Sequence, residues 1–438
     1  MNKNDKLFAE AAELGLKNIP YSDNIEILNT PITIDGIDFQ NRMVIQPMEG
    51  CDGTAEGKPD ELTRRRYHRF ARSGAGLIWL EAVAIVEEGR ANPRQLLMSV
   101  DNIDSYKAMI DSIKNVSLRE YGFEPKIIMQ ATHSGRYSKP EGKPAPIIAY
   151  NNPLFEKDNP ISKDRIITDD ALKRLEETYG VAANMAQQAG FDGIDIKCCH
   201  RYLASELLSA YNRPGKFGGS FENRTRLLIN GIKNAQAATD SDFIVTTRLN
   251  VYDGFEYPYG FGVKEGSDLE IDLTEPKKLV DILHNKLGIK LIDITIGNPY
   301  VNSYVNRPSR TKQNLAVENP LIGVDRMYYC VGEIQKAFPE LAVVGSGVSF
   351  FGSESPNLAA GAIEQGYMKL QGFGRMAFAY PDFAKDIAQK GELDKSKVCI
   401  SCGKCTEIMR AGSVTGCVIK DSDVYMPLYK KYVLEKEI

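Results

Sequence analysis

The chain has 438 residues, 43% hydrophobic and 26% charged, enough to bury a substantial core in one large domain with extensions or in two smaller ones. Its 54 basic and 58 acidic side chains leave a formal charge of −4 with no basic block to track a phosphate backbone, which argues against a nucleic-acid partner. No run approaches the roughly 18 apolar residues of a membrane span, and MNKNDKLFAEAAELGLKNIP lacks a signal-peptide core, so no membrane association and a cytoplasmic setting are expected.

Short β-rich runs recur in chain order: MVIQPM at 43–48, GLIWLEAVAI at 76–85, KIIMQAT at 126–132, GIDIKC at 193–198, FIVTTRLN at 243–250, KLIDITIG at 290–297, LAVVGSG at 341–347 and YMKLQGFG at 367–374. Helical spacing fills the intervals. Leu172, Leu175, Tyr179, Ala182, Ala183 and Ala186 recur at threes and fours over 170–189, and Thr274 is placed to cap a helix over 275–285 with Pro276 in its first turn. Eight strands alternating with helices predict an α/β fold closed as a (β/α)8 TIM barrel rather than an open doubly wound sheet. The barrel is expected over 1–395, with a C-terminal cysteine-rich extension over 396–438. The connections 133–165 and 251–272, rich in Gly, Pro, Asn and Tyr, are expected to roof the barrel mouth.

Barrel chemistry gathers at the C-terminal strand ends. Those ends carry Met48 and Glu49, Ala82, Gln130, Lys197 with His200, Arg248, Gly297, Gly347, and Gly374 with Arg375. Glycines after the seventh and eighth strands let backbone N–H groups approach an anion, so a phosphorylated cofactor or substrate is expected. The fourth strand is the densest end, since Lys197, His200 and Tyr202 emerge there together. Without a barrel around it, Lys197 reads as a solvated rim residue, His200 as a helix cap and Tyr202 as packing. His133 in THSGR is either ligand-facing or structural.

Eight cysteines in a chain with no secretion signal argue for thiols or metal ligands rather than a disulfide framework. Cys399, Cys402, Cys405 and Cys417 are separated by two, two and eleven residues and can surround one metal site. Cys198 and Cys199 read as packing thiols.

Together these residues resemble the old yellow enzyme family of FMN-dependent oxidoreductases, in the branch that includes bacterial 2,4-dienoyl-CoA reductase and trimethylamine dehydrogenase. The resemblance covers about residues 25 to 420 and rests on NRMVIQPM at 41–48, GAGLIWLEA at 74–82, QATHSGR at 130–136, GFDGIDI at 190–196, YNRPGKFGGSFENRTR at 211–226, TTRLN at 246–250 and GFGRMAFAYPDF at 372–383. It implies FMN held at the barrel mouth, with Pro47, Met48, Glu49 and Ala82 along the flavin and Gln130 at its pyrimidine edge. By the same likeness Arg248 lies near N1 and O2, and Gly347, Gly374 and Arg375 take the phosphate. Lys197 stands where the family has a histidine and Glu49 where it has Cys or Thr; His200 and Tyr202 keep their family places.

The implied function is an ene-reductase that passes hydride from reduced FMN to an α,β-unsaturated carbonyl or enoate. Lys197 and His200 would hold the carbonyl oxygen and Tyr202 would give the proton. The alternatives are an FMN-containing electron-transfer subunit and an oxidative, amine dehydrogenase-like flavoenzyme. Relatives in this branch hold a [4Fe–4S] cluster just after the barrel, with a middle interval one residue longer than here. Iron–sulfur, zinc and unligated thiols are all open for the quartet. Electrons come from NAD(P)H directly or, through a cluster, from a separate donor protein. Whether the chain forms a homo-oligomer is not legible, and no Gly-x-Gly-x-x-Gly loop follows any predicted strand.

Overall fold

A two-residue turn opens the architecture of the computed structural model, which describes residues 3–435. Asp35 and Gly36 both take positive φ, 53° and 76°, and join β1 (Ile32–Ile34) to β2 (Ile37–Phe39) as an antiparallel hairpin. Ile34 and Phe39 bury against Val44, Leu77, Trp79, Ile128, Leu291, Ala342, Val344 and Leu370, which come from six strands of the main sheet. The hairpin thus plugs one end of that sheet. It lies in none of the predicted runs, although an Asp-Gly pair between β-branched residues is its signature.

The main sheet is parallel throughout. Its strands are β3 (Met43–Ile45), β4 (Leu77–Ala84), β5 (Lys126–Thr132), β6 (Gly193–Ile196), β7 (Ile244–Thr246), β8 (Arg248–Asn250), β9 (Leu291–Thr295), β10 (Ala342–Gly345) and β11 (Leu370–Phe373), in the order β7-β6-β5-β4-β3-β11-β10-β9-β8. β7 and β8 are two pieces of one extended segment interrupted at Thr247. β7 pairs with β6 and β8 with β9, and Cys198 bridges to Leu249, so the sheet closes into an eight-segment barrel. Each predicted run carries one segment. The break is held by side chains: Thr247 Oγ1 donates to the Ile196 carbonyl at 2.7 Å, and Arg248 N–H donates to Asp195 Oδ1 at 2.6 Å.

The helix predicted over 170–189 spans Asp169–Gln188, where Thr168 Oγ1 accepts from Ala171 N–H at 3.2 Å as its N-cap. The next expectation needs correcting. Thr274 is not a cap but the first residue of helix Thr274–Asp281, because Asp272 Oδ1 already accepts its N–H at 2.9 Å.

The connections 133–165 and 251–272 lean on each other through Phe155 and Phe255, whose rings are 5.2 Å apart, and line none of the cleft at the mouth. That role falls to the loop after β9 and to the C-terminal residues. The latter build a small core from Ile408, Val414, Val418, Tyr425 and Tyr429 and dock on the barrel. There Thr415 N–H donates to the Gly50 carbonyl at 2.7 Å, and Asp421 pairs with Arg65 at 2.8 Å and with Arg69. Among the described residues no helix is long and apolar enough to cross a membrane.

Candidate active site

The C-terminal strand ends open into one cleft of about 1200 Å³, including its open mouth. Pro47, Met48, Glu49, Ala82, Gln130, Lys197, His200, Tyr202, Arg248, Gly347, Gly374 and Arg375 all line it, whereas Gly297, the strand end after β9, does not.

The floor is set by polar groups buried beneath it. Asp195, on β6, accepts from Trp79 Nε1 at 2.9 Å and from Gln130 Nε2 at 2.7 Å, and burial pushes its carboxyl up to about 6. Because the Gln130 amide nitrogen is committed to Asp195, its oxygen is left as an acceptor for the cleft. Arg248 sits across the floor with Nε 3.0 Å from Asp293 Oδ2, although its N–H is not aimed along that line, so the contact is an ion pair rather than a hydrogen bond. Gln46 crosses below, donating to Asp293 Oδ1 at 3.3 Å, and a Cβ at Gly372 would collide with its amide nitrogen. That glycine therefore makes room rather than a turn.

Opposite the floor stands the fourth-strand cluster. His200 and Arg201 both take positive φ, 63° and 54°, an arrangement that costs non-glycine residues on the order of 1–3 kcal/mol each. Arg201 holds the turn in place. Fully buried, it donates to the Tyr259 carbonyl at 2.7 Å, pairs with Asp253 at 3.2 Å and lies 4.7 Å from the centre of the Phe155 ring. The strained turn sends His200 to the cleft and Tyr202 beneath Lys197, whose Nζ lies 3.6 Å from the centre of the Tyr202 ring. Tyr202 Oη donates to Glu49 Oε2 at 3.3 Å and shares a 2.9 Å hydrogen bond with Tyr300 Oη.

Burial governs the protonation states. It pushes the Tyr202 phenol well above its ordinary value, with the neighbouring Glu49 carboxylate adding to the effect. It holds His200 well below the usual histidine range, with Arg248, Lys197 and Arg307 acting in the same direction. It also lowers Lys197, against the opposing pull of Cys199 and Glu49, and raises Glu49, against that of Lys197. The cleft accordingly offers a protonated phenol and a neutral imidazole at neutral pH. His133 lies outside it: burial lowers the ring to about 4, Nδ1 accepts from Gly135 N–H at 3.0 Å, and its role is structural.

Several lining residues were not expected at the mouth, and of these only Cys405, in the cysteine quartet, had a sequence signal. Tyr300, stacked on Tyr137 with ring centres 3.9 Å apart, and Arg307 come from the loop after β9; Cys405, Thr406, Arg410 and Thr415 come from the C-terminal residues. Cys399, Cys402, Cys405 and Cys417 line one small adjoining cavity, which shares Arg375, Phe378 and Cys405 with the cleft. All four are free thiols, and among the described residues no group of three or more His, Cys, Asp or Glu converges closely enough to hold a single metal ion.

The site also passes a test of fit for a flavin. An apolar strip of Pro47, Met48 and Ala82 lies between an amide oxygen and a guanidinium at one end and, at the other, Gly347, Gly374 and a guanidinium that among the described residues donates only to a carbonyl oxygen. That donor set suits a flat heteroaromatic ring carrying a phosphate.

A model of the NADH:flavin oxidoreductase / NADH oxidase family matches residues 27–394. The chain is similar to an NADPH dehydrogenase of Geobacillus sp. (strain WCH70), 32% identical over 276 residues, which are 62% of this chain and 73% of that protein. Its fold is similar to that of a 2-naphthoyl-CoA reductase solved with 2-naphthoyl-CoA, with a TM-score of 0.73 at 20% identity over 90% of this chain and 57% of the other. It is also similar to an old yellow enzyme homologue from Zymomonas mobilis, with a TM-score of 0.62 at 21% identity over 84% of this chain and 94% of the other. The chain spans little more than half of the naphthoyl-CoA reductase.

Proposed function

The chain belongs to the NADH:flavin oxidoreductase / NADH oxidase family, and on that premise we propose that it is an FMN-dependent ene-reductase acting on an α,β-unsaturated carbonyl compound. FMN bound along Pro47, Met48 and Ala82 would carry two electrons from NAD(P)H to that substrate. Gln130 and Arg248 would hold its polar edge, and Gly347, Gly374 and Arg375 its phosphate.

The observation that carries this reading is Lys197. Its ammonium lies in the cleft with the Tyr202 ring as its neighbour and, among the described residues, no hydrogen-bond acceptor, close to a neutral imidazole and a phenol that keeps its proton. As the double bond is reduced, negative charge develops on the carbonyl oxygen. Lys197 and the His200 N–H are placed to stabilise it, a contribution made where the charge forms. Tyr202 then gives its proton to the α-carbon. Glu49 and Tyr300 orient that hydroxyl. An ammonium substrate would meet Lys197 and Arg307 as like charges, which disfavours the amine-oxidising alternative. Anaerobic mixing of the NADPH-reduced protein with a panel of enones, enoates and enoyl thioesters tests the reading. Reoxidation of the flavin band by at least one member of the panel is expected; a protein that reduces only oxygen or free flavin is an electron-transfer module instead.

The same reading assigns Cys399, Cys402, Cys405 and Cys417 to a [4Fe–4S] cluster, a one-electron carrier beside the flavin site through which a separate donor protein could feed the enzyme. What supports this assignment is that the four thiols line one small cavity beside the cleft, with the cation Arg375 in its wall. Protein purified under argon is expected to contain about four iron and four sulfide per chain, as such a cluster requires. Cys417→Ser is expected to lose most of both; iron-free wild-type protein would remove the cluster from the account.

A further inference from the structure

Arginines elsewhere in this chain are paired when they are buried. Arg66 meets Asp52 and Glu81, Arg136 meets Glu156 and Glu206, and Arg201 meets Asp253. The cleft roof is arranged differently, with Arg307 and Arg375 half-buried and Arg410 exposed. Arg307 Nη1 donates to Thr406 Oγ1 at 2.9 Å, Arg410 Nη2 to the Pro299 carbonyl at 2.9 Å and Arg375 Nη2 to the Pro308 carbonyl at 2.8 Å, and among the described residues none of the three forms a salt bridge with a carboxylate. With Lys197 they make four cations lacking a salt bridge around one cleft, faced by the carboxylate of Glu49.

A flavin phosphate on Gly347, Gly374 and Arg375 accounts for one of them. Arg307 and Arg410 remain, on the roof, next to Tyr300 and its hydrogen bond to Tyr202. Lys197, His200, Arg307 and Arg410 all line the one cleft, with Arg307 near enough to act on both His200 and Arg410. Both arginines depend on the C-terminal residues: Thr406 holds one, and the other belongs to helix Lys404–Arg410.

We infer that Arg307 and Arg410 form an anion-binding site, and that the substrate carries a carboxylate at the end of the molecule remote from the carbonyl held by Lys197 and His200. The C-terminal residues then complete the substrate pocket rather than only adjoining it. The inference rests on the ene-reductase reading and names its substrate class: an unsaturated oxo acid or dicarboxylate. A coenzyme A phosphate offers similar charge, and titration tells it apart from a carboxylate.

Calorimetric titration of the oxidised holoenzyme with trans-4-oxo-2-pentenoate, its methyl ester and crotonyl-CoA separates these sources without turnover. The acid is expected to bind on the order of ten-fold or more tightly than the ester, the scale of a charge-assisted contact, and to lose that advantage at high salt. In Arg307→Gln the ratio should fall to within about three-fold, and Arg410→Ala, at the exposed end of its helix, should lower it in the same direction if Arg307→Gln does not fold. Equal binding of acid and ester by the wild type, or a ratio unchanged in both variants, overturns the inference. So does tighter binding of crotonyl-CoA than of the acid, or loss of flavin or iron from Arg307→Gln with the ratio intact. If none of these compounds is reduced although the acid is still preferred, the ene-reductase reading fails and the anion site stands.

Discussion

Tyr202→Phe is expected to slow reoxidation of the reduced enzyme by an enone about 10²- to 10⁴-fold, the usual contribution of a positioned general acid, while NADPH still reduces the flavin. The asymmetry follows from what the substitution removes. The phenol oxygen bonds to Tyr300 and Glu49 at 2.9 and 3.3 Å, whereas the ring carries Lys197. Phenylalanine keeps the ring and so keeps the ammonium in place over the carbonyl site. Only the proton is lost. Because burial and Glu49 push the phenol well above its ordinary value, the wild-type rate should show no loss from Tyr202 ionisation as the pH rises through neutrality. Stopped-flow measurement of the two half-reactions checks this. Equal losses in both would mean that Tyr202 seats the nicotinamide or holds the turn, and the proton would have to come from solvent.

The barrel was legible because its strands are buried on both faces and so read as continuous β-rich runs, as in LIWLEAVA over β4. The floor was legible as well, since a strand end announces which residue leaves the sheet at the mouth. What stayed hidden was set by contacts distant in sequence. Nothing around Tyr300, Arg307 or Arg410 indicates that the loop after β9 and the C-terminal residues meet over the cleft, because neither segment has a period to read. The hairpin at Asp35 and Gly36 is different, for its signal was local and present. Residues 133–165 and 251–272 have roof-like composition, yet composition does not say which way a loop falls, and these two pack on each other around Arg201.

The network beneath the floor was the least legible part, and Arg66→Met is expected to cost the most stability, about 3–5 kcal/mol, because it leaves buried carboxylates without their cation. Arg66 Nη2 is 2.7 Å from both Asp52 Oδ1 and Glu81 Oε1, and a Cβ at Gly50 would occupy the space the guanidinium uses. Glu81 also accepts from Gly50 N–H at 2.6 Å and from Tyr67 Oη at 3.2 Å. Burial, with the Asp52 carboxylate adding to it, raises Glu81 to about 7 despite Arg66. A raised carboxyl contributes stability that is fully present below its unfolded value near 4.5 and is lost as the pH rises through 7. Without Arg66 the folded value rises further, so the deficit of the variant should be smaller at pH 5 than at pH 8. Denaturant unfolding at both pH values checks the sign; equal deficits would mean that Arg66 acts through packing alone. The consequence reaches the site, since Gly50 follows the Pro47–Glu49 floor and its carbonyl receives Thr415 N–H from the C-terminal residues. A loosened Gly50 therefore frees the floor and the roof together, and Arg66→Met should retain flavin poorly even at pH 5, where most of its fold survives.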